Sequence, residues 1–352
     1  MLQFQKMNLP SLEDLDVFGK RVLLRMDTDV PFGSAQGRGP IVADDTRLRA
    51  SVPTIKYLIE EGCSQITILG HRGRPGGRVE PTLSLEPVAD CLEKLLEKEF
   101  GKDELADLPV YMAENLRFNP GEVLRYPQDP KARKLAESWV QHGDVYVNDA
   151  FGSTHREDVS IVGLPDLLPS AAGFSLISEV EALERVLDDP KRPVVFVLGG
   201  GKEDKALLVD HLLEHADWVL LGGVLPRKVK SYCKERGDGM CVSAAHLDRE
   251  GKDITPQSVQ NFVEIVRSAG TIVWGGPMGD MDSGFWESTE SIGKAIASSK
   301  AYKVAGGGDT IHAIKKLKLE KGFDHMSLGG GAMLELLAYG DLPGLRALRG
   351  ED

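Results

Sequence analysis

The sequence of 352 residues is short of four things: aromatic residues (6%), cysteine (four), positive charge (42 Lys+Arg against 54 Asp+Glu, formal net charge −12) and long apolar runs. Each shortage excludes something. The acidic balance is shared by both halves, with 20 basic and 27 acidic side chains in residues 1–170 and 22 and 27 in the rest, so no basic domain or tail is hidden in the average. A polyanion such as nucleic acid would find no broad basic face. Cys63, Cys91, Cys233 and Cys241 are widely spaced, without C-x-x-C or a Cys/His cluster at zinc spacing, and read as reduced core residues. No window approaches the roughly 18 apolar residues of a membrane span, and MLQFQKMNLPSLEDLD lacks the basic-then-apolar pattern of an export signal. A cytoplasmic protein without a membrane partner is expected. What is abundant is glycine, 39 residues, and the question is where it sits.

Short β-branched runs alternate with segments of helical periodicity, the pattern of βαβ units and parallel sheets. In the first half the runs are RVLLRMD (21–27), SQITILG (64–70), PVYMAE (109–114) and DVYVND (144–149), with helices near 47–62, 84–100 and 130–141 between them. The second half has PVVFVLG (193–199), WVLLGG (218–223), GMCVSA (239–244), TIVWGG (271–276), YKVAGG (302–307) and HMSLGG (325–330). Between the halves, residues 175–193 read as one amphipathic helix ended by Pro190 and Pro193. The expected fold is α/β: two doubly wound, Rossmann-like parallel-sheet domains joined by an interdomain helix and able to close as a hinge. The expected boundaries are residues 1–172, the helix 173–192, residues 193–335, and a tail 336–352 packing back on the first domain.

The glycines are placed rather than scattered. Five second-half strands run into Gly199–Gly201, Gly222–Gly223, Gly275–Gly276, Gly306–Gly308 and Gly329–Gly331. Ligands of open parallel sheets bind beyond the carboxyl ends of strands, where glycine lets backbone N–H groups approach a phosphate at the next helix start. VLGGGKEDK adds Lys202 and Lys205, which read either as phosphate contacts or as a solvated helix start; the spacing is not that of a Walker A loop. In VAGGGDTIH, Asp309 reads either as an N-cap or as a hard oxygen ligand for a Mg²⁺ shared with nucleotide phosphates. The first half contributes cations at strand ends: GHRGRPGGR holds His71, Arg72, Arg74 and Arg78, ENLRF holds Arg117, STHRED holds His155 and Arg156, and DDTRLRAS holds Arg47. Arginine forks there suit a small, highly anionic ligand.

Taken together, KRVLLRMDTDVP, GHRGRP, ENLRF, VNDAFGSTHR, LPSAAGF, VLGGGKEDK, TIVWGGPMG, GGGDT and SLGGGAMLELL resemble the phosphoglycerate kinase family, from about Lys20 to the tail. The resemblance implies a glycolytic and gluconeogenic phosphotransferase that passes the acyl phosphate of 1,3-bisphosphoglycerate to Mg-ADP, giving 3-phosphoglycerate and ATP, and acting as a monomer. It implies substrate binding by Asp27, Asp29, Arg47, His71, Arg74, Arg117 and Arg156, with Arg47 stabilising the transferred phosphoryl group. It implies nucleotide binding by Gly200, Gly201, Lys202, Gly223, Asp282, Gly307, Gly308, Asp309 and Thr310, with Asp309 linked to the metal. Arg47, Lys202, Lys205 and Gly308 form the implied catalytic set.

The chain departs from the family pattern at several of these positions. Asp29 replaces an Asn, Lys202 and Lys205 are one residue closer than usual, Gly275 replaces an Asn, Asp282 stands for a Glu, and Leu328 for a Thr. The segment between Gly223 and Ile254 is shorter than usual. Two other readings follow from these departures: a non-catalytic phosphoglycerate-binding homologue, and a kinase of the same fold for another small phosphorylated carboxylate. A nicotinamide dehydrogenase is disfavoured, since no G-x-G-x-x-G follows the first strand.

Overall fold

The computed structural model describes residues 6–34, 40–105, 108–201, 203–227 and 241–351. They form two compact units. One holds Asn8–Glu179 and is completed by residues from Leu342 onward; the other holds Val180–Asp341 with Lys6 and Met7.

The first unit is built on a five-stranded parallel sheet in the order β5-β4-β1-β6-β7. Its elements are β1 (Arg21–Arg25), a two-stranded antiparallel hairpin of β2 (Phe32–Ser34) and β3 (Pro40–Val42), α1 (Thr46–Glu60), β4 (Gln65–Leu69), α2 (Glu86–Phe100), the short α3 (Lys102–Leu105), β5 (Val110–Met112), α4 (Pro130–Trp139), β6 (Val145–Asn148), α5 (Val159–Leu167) and β7 (Ser170–Ala172). The central strand carries apolar residues on both faces, as a parallel strand covered by helices requires. Val22 and Leu24 join Leu48, Ile55, Leu58, Val88, Leu92 and Leu96 of α1 and α2 in one core. The chain leaves β1 first towards β4 and β5 and later towards β6 and β7, so the crevice at the carboxyl ends of β4, β1 and β6 is the topological switch point where ligands of such sheets bind. In register, Arg25 pairs with Leu69 on one side and Asn148 on the other, so Asp27, Gly70–His71 and Asp149 all emerge at this crevice.

α6 (Phe174–Leu187) follows β7. It ends at Leu187, before the two prolines of the expected 175–193 helix, with Asp189 at positive φ turning the chain out. Its first turn is capped from the crevice: Asp149 Oδ1 accepts the N–H groups of Ser175 (2.9 Å) and Leu176 (3.2 Å). Burial pushes this carboxyl up to about 7 against those hydrogen bonds. The folded state therefore holds a proton that the unfolded chain releases near pH 4, and stability falls as pH rises between the two values. The unfolding free energies of wild type and Asp149→Asn should diverge across that window by about 4 kcal/mol, wild type alone losing it, as read by denaturant titrations at stepped pH. Parallel curves would show that Asp149 is ionised throughout.

The second unit carries a six-stranded parallel sheet in the order β10-β9-β8-β11-β12-β13. Its elements are β8 (Val194–Leu198), the single-turn α7 (Val209–Leu212), β9 (Trp218–Leu221), β10 (Cys241–Ala244), α8 (Pro256–Ser268), β11 (Thr271–Gly275), α9 (Glu287–Ser298), β12 (Tyr302–Gly306), α10 (Gly308–Lys316), β13 (His325–Ser327) and α11 (Gly330–Tyr339). Every residue of β8 and β11 is buried, and Trp274, Phe262, Val195 and Ile272 share a core with Ile292 and Ile296 of α9. Here the switch point lies between β8 and β11. α12 (Pro343–Arg349) returns to the first unit and lies on α5, where Gly344 N–H bonds Thr154 O at 2.8 Å and Leu345 and Leu348 are buried.

Among the described residues no helix is long and apolar enough to cross a membrane. Cys63 and Cys91 are free thiols, and burial raises Cys63 to about 11; Cys233 lies outside the described residues.

Candidate functional site

The first unit gathers its cations at the crevice of its sheet. Arg25, Arg47, Arg117 and Arg156 all bear on buried His71, whose pKa is held well below the ordinary histidine value by burial first and by these four charges next. Arg117 is itself 5% exposed and is held by two hydrogen bonds, Nη1 to Gly73 O (2.9 Å) and Nη2 to Asp158 Oδ2 (3.0 Å), while its Nε has no partner. Arg156 is half-buried and its pKa is lowered, by burial and then by Arg117. Arg74 is exposed on the loop after β4 and adds its field to Arg156. Arg47 lies in the first turn of α1, where Nη1 donates to the backbone carbonyl of Asp29 at 2.5 Å. Cations concentrated at strand ends, with Asp158 paired to Arg117, form a receptor for a small anion.

The two aspartates after β1 have structural partners. Asp27 accepts Gly152 N–H (2.8 Å) and Ser153 Oγ–H (3.2 Å), tying the β1 end to the loop after β6. Asp29 Oδ1 accepts Gly73 N–H at 3.0 Å and fixes the GHRGRP loop. Its charge also bears on Arg72 and Arg156, so the acidic replacement sits within the arginine cluster rather than turned away from it. Arg72 is buried, donates to Ser84 O (3.1 Å) and lies over the Phe32 ring of the hairpin.

In the second unit the glycine-rich strand ends enclose a cleft of about 580 Å³. Gly200, Gly201, Gly223, Asp282 and Asp309 of the expected nucleotide residues line it. Gly223, at φ +59°, could take no side chain, since a Cβ there would fall 2.5 Å from Gly200 N. Lys202 lies outside the described residues. The structure gives Lys205 and Thr310 other places, and it decides between the two readings of Asp309. Lys205 is not a cleft residue: its Nζ donates to Gly199 O and Gly275 O, both at 2.9 Å, clamping β8 and β11 together where the sheet diverges. Thr310 is fully buried, and its Oγ accepts Gly276 N–H at 2.7 Å, so it shapes the neighbouring loop instead of facing the cleft. Asp309 is not the N-cap. Gly307, at φ +100°, makes that turn, and its backbone is packed so closely that a Cβ at Gly330 would meet it; Gly308 then starts α10 and Asp309 falls in the first turn.

Several site residues were not singled out from the sequence. Arg25 is hidden by its apolar strand, although it stands two residues before Asp27 and so points to the same face. In the cleft, Arg227, Lys252 and Trp286 from separate segments meet His312 of α10, with Lys316 over the Trp286 ring. Nothing in their sequence spacing signals this.

The family model described as Phosphoglycerate kinase matches residues 12–235 and 224–339. The chain is 35% identical over 401 residues to a phosphoglycerate kinase of Rubrobacter xylanophilus, covering 97% of this chain and 98% of the relative. It is 36% identical over 403 residues to one of Salinispora tropica, at 97% and 100% coverage. Two solved phosphoglycerate kinases, from Coxiella burnetii (29% identity, 97% and 99% coverage) and Pyrococcus horikoshii (30%, 97% and 98%), each superpose with a TM-score of 0.77.

Proposed function

Because the chain belongs to the phosphoglycerate kinase family, we propose that the arginine crevice of the first unit takes 3-phosphoglycerate or the matching part of 1,3-bisphosphoglycerate, and that the glycine cleft of the second takes ADP or ATP. The reaction is reversible phosphoryl transfer with a carboxyl group as acceptor. The observation that supports this assignment of half-sites is the convergence of Arg47, Arg117 and Arg156 around His71 at a sheet switch point.

Little covalent chemistry falls to the protein in such a transfer; positioning and charge neutralisation supply the rate. Arg117, held by Gly73 and Asp158, and Arg156 would grip the phosphate and carboxylate of the triose. Arg47, anchored on Asp29 O, would face the transferred phosphoryl group. In the cleft, the backbone of Gly200, Gly201 and Gly223 approaches the phosphates while Lys205 keeps the two strand ends in place.

Magnesium fits the donor chemistry: Asp309 offers hard carboxylate oxygens in the cleft, of the kind the ion takes when it shares coordination with phosphates. Bound with the nucleotide, it would neutralise phosphate charge. The proposal also places the enzyme in the cytoplasm as a monomer. A coupled assay with 3-phosphoglycerate and Mg-ATP is the test, and the absence of turnover from a folded sample overturns it.

A further inference from the structure

We propose that Arg25 is a positioning residue that fixes the proton of His71 on Nε2, making His71 a neutral hydrogen-bond donor to the ligand instead of one more cation. The inference rests on the phosphoglycerate reading of the crevice. It concerns a side chain that is fully buried behind the crevice at the carboxyl end of β1.

The argument is an accounting of donors. Arg25 Nη2 lies 2.7 Å from His71 Nδ1 and 3.5 Å from Ser153 Oγ, Nη1 donates to Met26 O, and Nε donates to Ser160 Oγ at 3.1 Å. A guanidinium only donates, so His71 Nδ1 must present its lone pair and the ring proton must sit on Nε2. Ser160 Oγ accepts from Arg25, so its own hydrogen points the other way, to Glu122 Oε1 at 2.6 Å, while Ser160 N–H meets Glu122 Oε2 at 3.1 Å. The buried carboxyl of Glu122 thus anchors a directed series that runs through Ser160 and Arg25 to the imidazole. The backbone of His71 is pinned as well, its carbonyl accepting Thr28 Oγ1–H at 2.8 Å.

The charged groups that bear on the ring are Arg25, Arg47, Arg117 and Arg156, all cationic. Protonating Nδ1 would set an N–H against an N–H and add a fifth positive charge. Among the described residues no group bonds Nε2, which leaves Nε2–H for an anionic oxygen. The carbonyl and carboxyl partners behind the crevice thereby decide what chemistry its inner wall offers: a fixed dipole at His71, and charge from arginine alone.

The experiment is a long-range ¹H–¹⁵N correlation on full-length enzyme labelled at histidine, with His71 assigned by the signal lost in His71→Asn. The expected result is a protonated Nε2 and an unprotonated Nδ1 that stay so from about pH 5.5 to about pH 8, where an ordinary histidine titrates. Adding 3-phosphoglycerate should shift the Nε2 resonance. In Arg25→Met no donor faces Nδ1, so the ring should populate the Nδ1–H tautomer beside Nε2–H, and KM for 3-phosphoglycerate should rise about tenfold with the loss falling on KM rather than kcat. Arg25→Lys, which keeps a buried donor, should recover part of both.

A wild-type ring that titrates near neutrality, or that carries its proton on Nδ1, overturns the proposal. So does a correct tautomer whose Nε2 ignores the ligand. If Arg25→Met does not fold, the wild-type spectra decide alone. An enzyme inactive in the coupled assay would instead refute the phosphoglycerate reading and leave the tautomer result standing.

Discussion

Arg47→Ala should lower turnover with 3-phosphoglycerate and Mg-ATP by about a thousandfold, the scale seen when a guanidinium that meets transferring phosphoryl charge is removed. Three observations isolate this residue from its neighbours. Arg117 is locked by Gly73 and Asp158, Arg156 is drawn into the field of Arg117, and Arg25 is committed to His71, Ser160 and Met26. Arg47 instead reaches out from the first turn of a helix and is steadied by the Asp29 carbonyl, so no other side chain of the crevice can take over its position. A residue acting on the transition state should lose kcat and kcat/KM together, whereas one that only binds substrate should raise KM. Arg47→Lys supplies charge without the planar fork and should fall between the two. A loss under tenfold in the coupled assay, or one confined to KM, would remove Arg47 from the transfer step.

The second large effect is on stability. Asp158 and Arg117 form an ion pair in which the side chains are 8% and 5% exposed. Removing the carboxylate by Asp158→Ala strands a buried guanidinium next to Arg156, and breaking such a pair costs about 3–5 kcal/mol. Denaturant unfolding of the first unit should shift by that amount. Adding Arg117→Met to the same chain should recover much of the loss, since a buried pair replaced by apolar groups of similar size is often neutral. A single variant within about 1 kcal/mol of wild type would show that solvent or another group already compensates Arg117. The double variant cannot be active if Arg117 binds substrate, so stability and turnover separate the two roles of one residue.

How much of this was legible beforehand follows from what each feature depends on. The strand cores, RVLLR, QITIL, VVFVL and TIVWG, were visible because burial on both faces leaves an unbroken apolar signature. The three-residue strands β2, β3 and β7 were not foreseen: PIV and SAA are too short to show alternation, and they exist because they pair with what lies beside them. The arginine rim was readable since cations at successive strand ends converge whenever the sheet is parallel. The division of labour within it was not. Whether Lys205 faces a cleft or clamps two carbonyls turns on one lysine's reach to β11, seventy residues away in sequence. Asp309 shows the same limit: Gly, Asp and Thr in a row are each plausible helix starters, and the left-handed φ that singles out Gly307 is a property of the folded backbone.

The helix at the end of the chain, α12, has a bearing on how the protein comes into being. On the ribosome, residues through Glu179 are made first, and nearly all of the arginine unit could begin folding while the second unit is still being synthesised. Yet Ile161 and Leu164 of α5 are fully buried in a layer that α12 completes, and the Gly344 backbone sits too close to Ile161 to admit even a methyl group. That surface stays open while residues 180–341 are translated, and it closes only once Pro343–Arg349 has emerged. The arginine unit is therefore completed only after residues 180–341 have been made, and a chain cut short after Asp341 would carry all of its implied substrate ligands on a unit with an apolar face uncovered.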